Sequence, residues 1–161
     1  MPAPAPPRTE LAAAAATAVV ASVDIAALQH LLATVVSPWV TELNLRLLEA
    51  RPGEVVLALP VAPRHVHGGG VLCGQTMMAA ADTAMILAIV SQTGAFRPMT
   101  TVQLQTSFLR PIAGSTTEHC GEARVVARVL RLGKSLVFGE IEVQDAAGRL
   151  AAHSTTTYAL L

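Results

Sequence analysis

Asp82 is the single formally charged residue between His65 and Phe96, and it stands inside an otherwise apolar run, GQTMMAAADTAMILAIVS. A run of this length and composition reads as a helix. Its neighbours one turn away are then Met78, Ala79, Met85 and Ile86, none of which can pair with a carboxylate. An ionised carboxylate taken out of water without a partner costs several kcal/mol, so a purely packing role is an expensive one. Two readings follow. Asp82 is tied to an Arg or a backbone amide of another strand, or it is a carboxylate in a dry cleft that serves as general base or nucleophile, with Thr76 and Thr83 available to orient it.

Ahead of this helix lies Gly68-Gly69-Gly70, then Val71, Leu72, Cys73 and Gly74. Glycines let a ligand approach the backbone closely, and a helix N-terminus offers unpaired N–H groups with partial positive charge. Together these are the parts of an oxyanion hole. Asp82 is eight residues beyond Gly74, about 12 Å along the axis, too far for both to serve one carbonyl within one chain. Two such helices packed antiparallel across a two-fold axis would set the Asp82 of one against the Gly74 end of the other. Cys73 admits a second chemistry, a thiolate at the helix start with His65 or His67 as base, against the plainer reading of a small buried residue. His119 and His153 fall in strand patterns without a second ligand at usable spacing, so no metal is expected.

The elements that hold these groups follow from pattern. The chain has 161 residues, 52% hydrophobic and 14% charged, with 11 basic and 11 acidic residues. That composition excludes disorder, and the scattered basic residues give no stripe for a nucleic-acid backbone. Two cysteines are too few for a disulfide framework. No segment reads as a membrane span, and Arg8 balanced by Glu10 before the Ala-rich run is a poor export signal, so a cytoplasmic location is expected.

Residues 1–22 read as a Pro/Ala-rich tail and 23–161 as one domain. Asp24 caps a short helix with Ile25, Leu28, Leu32 and Val35 on one face, stopped at Ser37-Pro38. LNLRLL (43–48) and EVVLALP (54–60) form a hairpin about Arg51-Pro52-Gly53. The helix from 74 to 91 follows, with Gly94 past its exit. Strands are predicted over 99–109, about 116–131, 134–144 and 150–160. This order defines an α+β fold in which a mainly antiparallel sheet curls around an apolar helix, with a second subunit helping to cover it.

GVLCGQTMMAAAD, TTVQLQTSFLRPI and GKSLVFGEIEVQDAAGRLAAHSTTTY resemble the hotdog-fold acyl-CoA thioesterases of the phenylacetic-acid-degradation (PaaI-like) type, over about residues 40–160. In that family a loop G-x-x-H-G-G enters the central helix, and an acidic residue nine positions after the His performs catalysis. Cys73 takes the His position, Gly74 and Gln75 the two Gly positions, and Asp82 the acid. The resemblance implies that the Gly74 N–H polarises the thioester carbonyl while Asp82 activates water or attacks. The family's hydroxyl residue on the next strand falls on Thr101, with Thr100 beside it. His67 stands where the family often has Asn, and the HGG at His67 is a decoy, since nine residues on is Thr76.

Gly70, Cys73, Gln75 and His67 would face substrate. Arg110, Arg131 and Lys134 are candidates for the coenzyme A phosphates, coenzyme A being part of the substrate and not a cofactor. A homodimer, as a dimer of dimers, is implied. The expected activity is hydrolysis of an aryl or short- to medium-chain acyl-CoA. A non-catalytic acyl-CoA sensing module, and a dehydratase recruiting His65 or His67, are the competing readings. Met77, Met78, Met85 and alanines would line the acyl slot.

Overall fold

The computed structural model describes residues 23–114 and 121–161, so the tail read over 1–22 and the start of the arm read from Thr116 lie outside the described residues. The elements run α1 (Ile25–Thr34), α2 (Pro38–Thr41), β1 (Arg46–Arg51), β2 (Glu54–Pro60), a short 3-10 turn (Pro63–His65), α3 (Gly74–Thr93), β3 (Met99–Phe108), β4 (Glu122–Leu132), β5 (Leu136–Gln144) and β6 (Leu150–Leu160).

Asp24 caps α1 as expected, its carboxylate accepting the Ala27 N–H at 3.0 Å. The buried side of α1 differs from the expectation. Leu28 and Leu31 are buried, while Ile25 and Val35 are about half exposed. The cause is length: a helix of only three turns touches the core through its middle, and its ends project past the contact. Ser37-Pro38 does not end helical structure but restarts it, with Pro38 at the first position of α2, where its missing N–H costs nothing. Leu43 and Asn44 belong to the exit from α2, Asn44 having a φ of 51°, so β1 starts at Arg46 and not at residue 43.

All strand pairs are antiparallel, in the order β1-β2-β4-β5-β6-β3, so β1 and β3 form the two edges. Val55, Leu57 and Leu59 of β2, Val125 and Ala127 of β4, and Val137 and Ile141 of β5 turn inward against Ala80, Ala84, Leu87 and Ala88 of α3. Alternation along β5 supplies one apolar face, β2 is buried on both faces from Val55 to Leu59, and α3 fills the concave side of the sheet. By length and hydropathy α3 could cross a bilayer, contrary to the expectation that no segment would. Two thirds of its apolar window is instead buried within the sheet.

The burial of α3 is not complete. Gln75, Met78, Ala79, Asp82 and Ile86 form a strip of partly or fully exposed positions at spacings of three and four. Gly94, with φ 77°, ends the helix in the left-handed conformation that glycine takes at no steric cost.

Candidate active site

Asp82 lies on that open strip, and its partners come from the sheet. Its Oδ1 accepts a hydrogen bond from Thr101 Oγ1 at 2.8 Å and from Tyr158 Oη at 2.5 Å. Thr101 on β3 and Tyr158 on β6 are direct cross-strand partners, so one rung of the ladder presents two hydroxyls to one carboxylate oxygen. Tyr158 Oη also lies 2.9 Å from the Asp82 carbonyl. Among the described residues Oδ2 receives no hydrogen bond, and no ion pair involves Asp82. The expected partners, an Arg or a backbone amide, are therefore replaced by two neutral donors. Thr83 does not orient the carboxylate either: its hydroxyl donates to the Ala79 carbonyl at 2.8 Å, the bond a helical threonine makes to its own backbone.

Tyr158 is 1% exposed. Burial, followed by the nearby charge of Asp82, holds its phenol far above the usual 10.0. The hydroxyl therefore stays a donor throughout the pH range in which a protein works. No motif pointed to Tyr158. It is the lone tyrosine of the chain and falls on an inward position of a clear strand pattern, which is the signal that could have found it.

At the other end of this stretch of α3, Cys73 occupies the cap position without a side-chain hydrogen bond, so the first-turn N–H groups, Gly74 among them, keep no side-chain acceptor. Cys73 is partly buried, its N–H donating to the His65 carbonyl at 2.8 Å and its carbonyl accepting from Met77. The loop before it is a tight turn. The Gly70 N–H bonds the His67 carbonyl, Gly70 has φ 76°, and the Gly114 N–H bonds the Gly70 carbonyl. His67 Nδ1 accepts from the Gly69 N–H at 2.9 Å, which puts the ring proton on Nε2 and occupies the nitrogen nearest the turn. His65 is buried and its imidazole is pushed to lower pKa, chiefly by desolvation; its Nε2 faces Arg64. Neither histidine hydrogen-bonds the Cys73 thiol.

Gln75 is exposed in the first turn of α3. Thr100, the alternative to Thr101, is exposed and makes no bond to Asp82. Met85 is fully buried, whereas Met77 lines a cleft beside Gly74 together with His67 and Phe108. Of the three cations, Arg110 follows β3 at the end where Leu150 begins β6, its Nη1 bonding the Leu150 carbonyl at 3.0 Å. Arg131 and Lys134 lie by the β4–β5 turn, at the end where Leu160 bonds Ser135. Within one chain these cations are not brought together.

An antiparallel sheet wrapped on a central helix, with a carboxylate on that helix and an uncapped helix entry two turns before it, is the hotdog architecture of a thioester hydrolase. The family model of the thioesterase superfamily matches residues 65–152, more than half of the chain, and the chain belongs to that family. A Thermoplasma volcanium protein named as a candidate esterase is 32% identical over 110 residues, covering 68% of this chain and 77% of its own. Among solved structures, a conserved protein of Pseudomonas aeruginosa aligns with TM-score 0.70 and 29% identity over 78% of this chain and 95% of its own. A mutant of the phenylacetic acid degradation protein PaaI of Thermus thermophilus aligns with TM-score 0.67 and 26% identity, over 78% of this chain and all of its own.

Proposed function

We propose that this thioester hydrolase acts on acyl-CoA, with Asp82 as general base and the Gly74 N–H as the donor that polarises the thioester carbonyl. The observation that carries this reading is the half-anchored carboxylate. Thr101 and Tyr158 fix Oδ1, while Oδ2 has no partner among the described residues and sits on the open strip of α3. A carboxylate so held has one oxygen for orientation and one for the proton of an attacking water. Its proton then passes to the departing thiolate, and the products are the free acid and CoA.

The base and the polarising donor must act on the same carbonyl, and about 12 Å of helix separates them. A two-fold homodimer resolves this. Midway between Gly74 and Asp82 stand Met78 and Ala79 on the open strip, and its spacing of three and four suits helix-on-helix packing. An axis through that point would set each Asp82 against the partner's α3 entry. β3 favours the same arrangement, being a ten-residue edge with Val102 60% exposed. Pairing β3 with its symmetry mate would also bring Arg110 to the end where the other chain carries Arg131 and Lys134, a cationic cluster suited to the CoA phosphates.

The test is release of CoA thiol from aryl-acetyl, benzoyl and short- and medium-chain acyl-CoA. Asp82→Asn, which preserves shape, is expected to lower kcat by about 10²–10⁴ with the fold intact. Full turnover in Asp82→Asn would overturn the role of the carboxylate. Binding without turnover by the wild type would replace the hydrolase by a sensing module.

A further inference from the structure

Gly74 has a neighbour that the reaction above does not use. A methyl group placed on its Cα would come within 2.9 Å of Phe108 Cζ and 3.2 Å of Cε1, so the tip of the Phe108 ring stands directly on the helix entry. Phe108 closes β3 and is 51% exposed. Its ring borders a cleft of about 330 Å³ whose walls include Leu72, Met77, Leu109 and Pro111. Leu72 and Met77 are 2% and 5% exposed, so the cleft reaches down to the core.

Other concavities offer less. The groove of about 440 Å³ between α1 and β1 has Arg46 as its charged residue, and that guanidinium is engaged by Glu122. The cleft beside Asp145 is small, about 280 Å³, and the carboxylate there is bound by Arg149 and by the N–H groups of Ala147 and Arg149. The cleft at Gly74 differs in adjoining the N–H groups to which a substrate carbonyl would bind.

We infer that Phe108 sets the size of the acyl group: its ring, seated on Gly74, walls an apolar cleft that takes the acyl chain and limits it to a short chain or a single ring. The inference rests on the thioesterase reading and names the acyl side of that same site. Three observations favour the acyl chain over the pantetheine arm. The cleft starts at the carbonyl-binding N–H. Its walls are chiefly hydrocarbon, which suits an alkyl or aryl group but would leave the two amides of pantetheine without partners. Its volume lies at the lower end of the range of small-molecule pockets. The polar side chains on the cleft, His67 and Arg110, are exposed.

The test separates binding from turnover. Affinities of the whole protein for 2-oxoalkyl-CoA thioethers, which keep a carbonyl but cannot be hydrolysed, are measured by calorimetry from butyl to dodecyl chains, with a phenyl analogue. Phe108→Ala is expected to move the preferred chain to greater length and to change the dodecyl-to-butyl affinity ratio at least about tenfold, the scale on which pockets discriminate a methylene or more. Phe108→Leu should shift it the same way by less, and Phe108→Trp should favour the shortest chains, so the inference does not depend on the alanine variant folding. An unchanged ratio in the folded variants would overturn the role of Phe108 and leave the hydrolase reading standing. Changed ratios without wild-type turnover of the matching thioesters would support Phe108 as the size filter and overturn hydrolysis. Failure of the wild type to bind any analogue would overturn both.

Discussion

Asp82 and Tyr158 depend on one another in a way that alkaline pH makes visible. Tyr158 is the chain's lone tyrosine, so absorbance near 295 nm reports its ionisation without overlap from another phenol. Burial and the Asp82 charge raise its pKa, so no ionisation is expected near pH 10 while the fold holds. Above pH 10 the unfolded chain loses this proton and the folded chain keeps it. The linkage then subtracts stability as pH rises, while below pH 10 the contribution is fully present. In Asp82→Asn the charge is gone and burial remains, so the phenol should titrate lower than in the wild type yet still above 10. Titration of the folded wild type at the ordinary value would contradict the Tyr158–Asp82 contact. At this scale Asp82 was legible as a candidate because it is the single charge in a long apolar run. Thr101 was legible as a candidate through the family motif, but its bond to Asp82 was not. Tyr158 was not, because strand alternation says that a side chain faces inward and not which atom of a distant helix it meets.

Helix and sheet meet closely where β5 passes α3. Gly139 faces inward, and a methyl group there would collide with the Met85 thioether and stand 2.9 Å from the Arg128 carbonyl. Glycine at this place lets Met85 bury fully against the sheet. Gly139→Val is expected to cost roughly 1–3 kcal/mol from overpacking, read as a lower Tm with the enzyme still active below the transition. Element order and type followed from periodicity because apolar residues recur at two- and four-residue intervals over long stretches. Element edges did not. Leu43 and Asn44 carry the alternation of a strand, yet the helical turn at Pro38 and the left-handed Asn44 delay β1 to Arg46. The buried side of α1 was misjudged for a related reason, since a short helix can satisfy its pattern with several faces and tertiary contact chooses among them.

For the whole molecule, the proposed sharing of a site across a two-fold axis has a direct test in mixing. Asp82→Asn lacks the proposed base. Gly74→Ala drives a methyl group into Phe108 and disturbs the proposed polarising end. Each should be inactive alone. Unfolded together and refolded, half of the dimers carry one chain of each kind and one intact site, so about a quarter of wild-type activity should return. Activity that stays at the sum of the two variants would place both groups of each site in one chain.

The two edges of the sheet are also unequal in composition. β1 carries Arg46, Glu49 and Arg51, whereas from Met99 to Leu109 there is neither a charge nor a proline. Charges and prolines are what usually discourage a bare edge from recruiting strangers. A chain whose β3 edge stays bare would therefore offer a long, uncharged template on one side only, the composition from which cross-β stacking grows. The strand that steadies Asp82 at one end and walls Gly74 at the other is thus also the place where solubility would fail first.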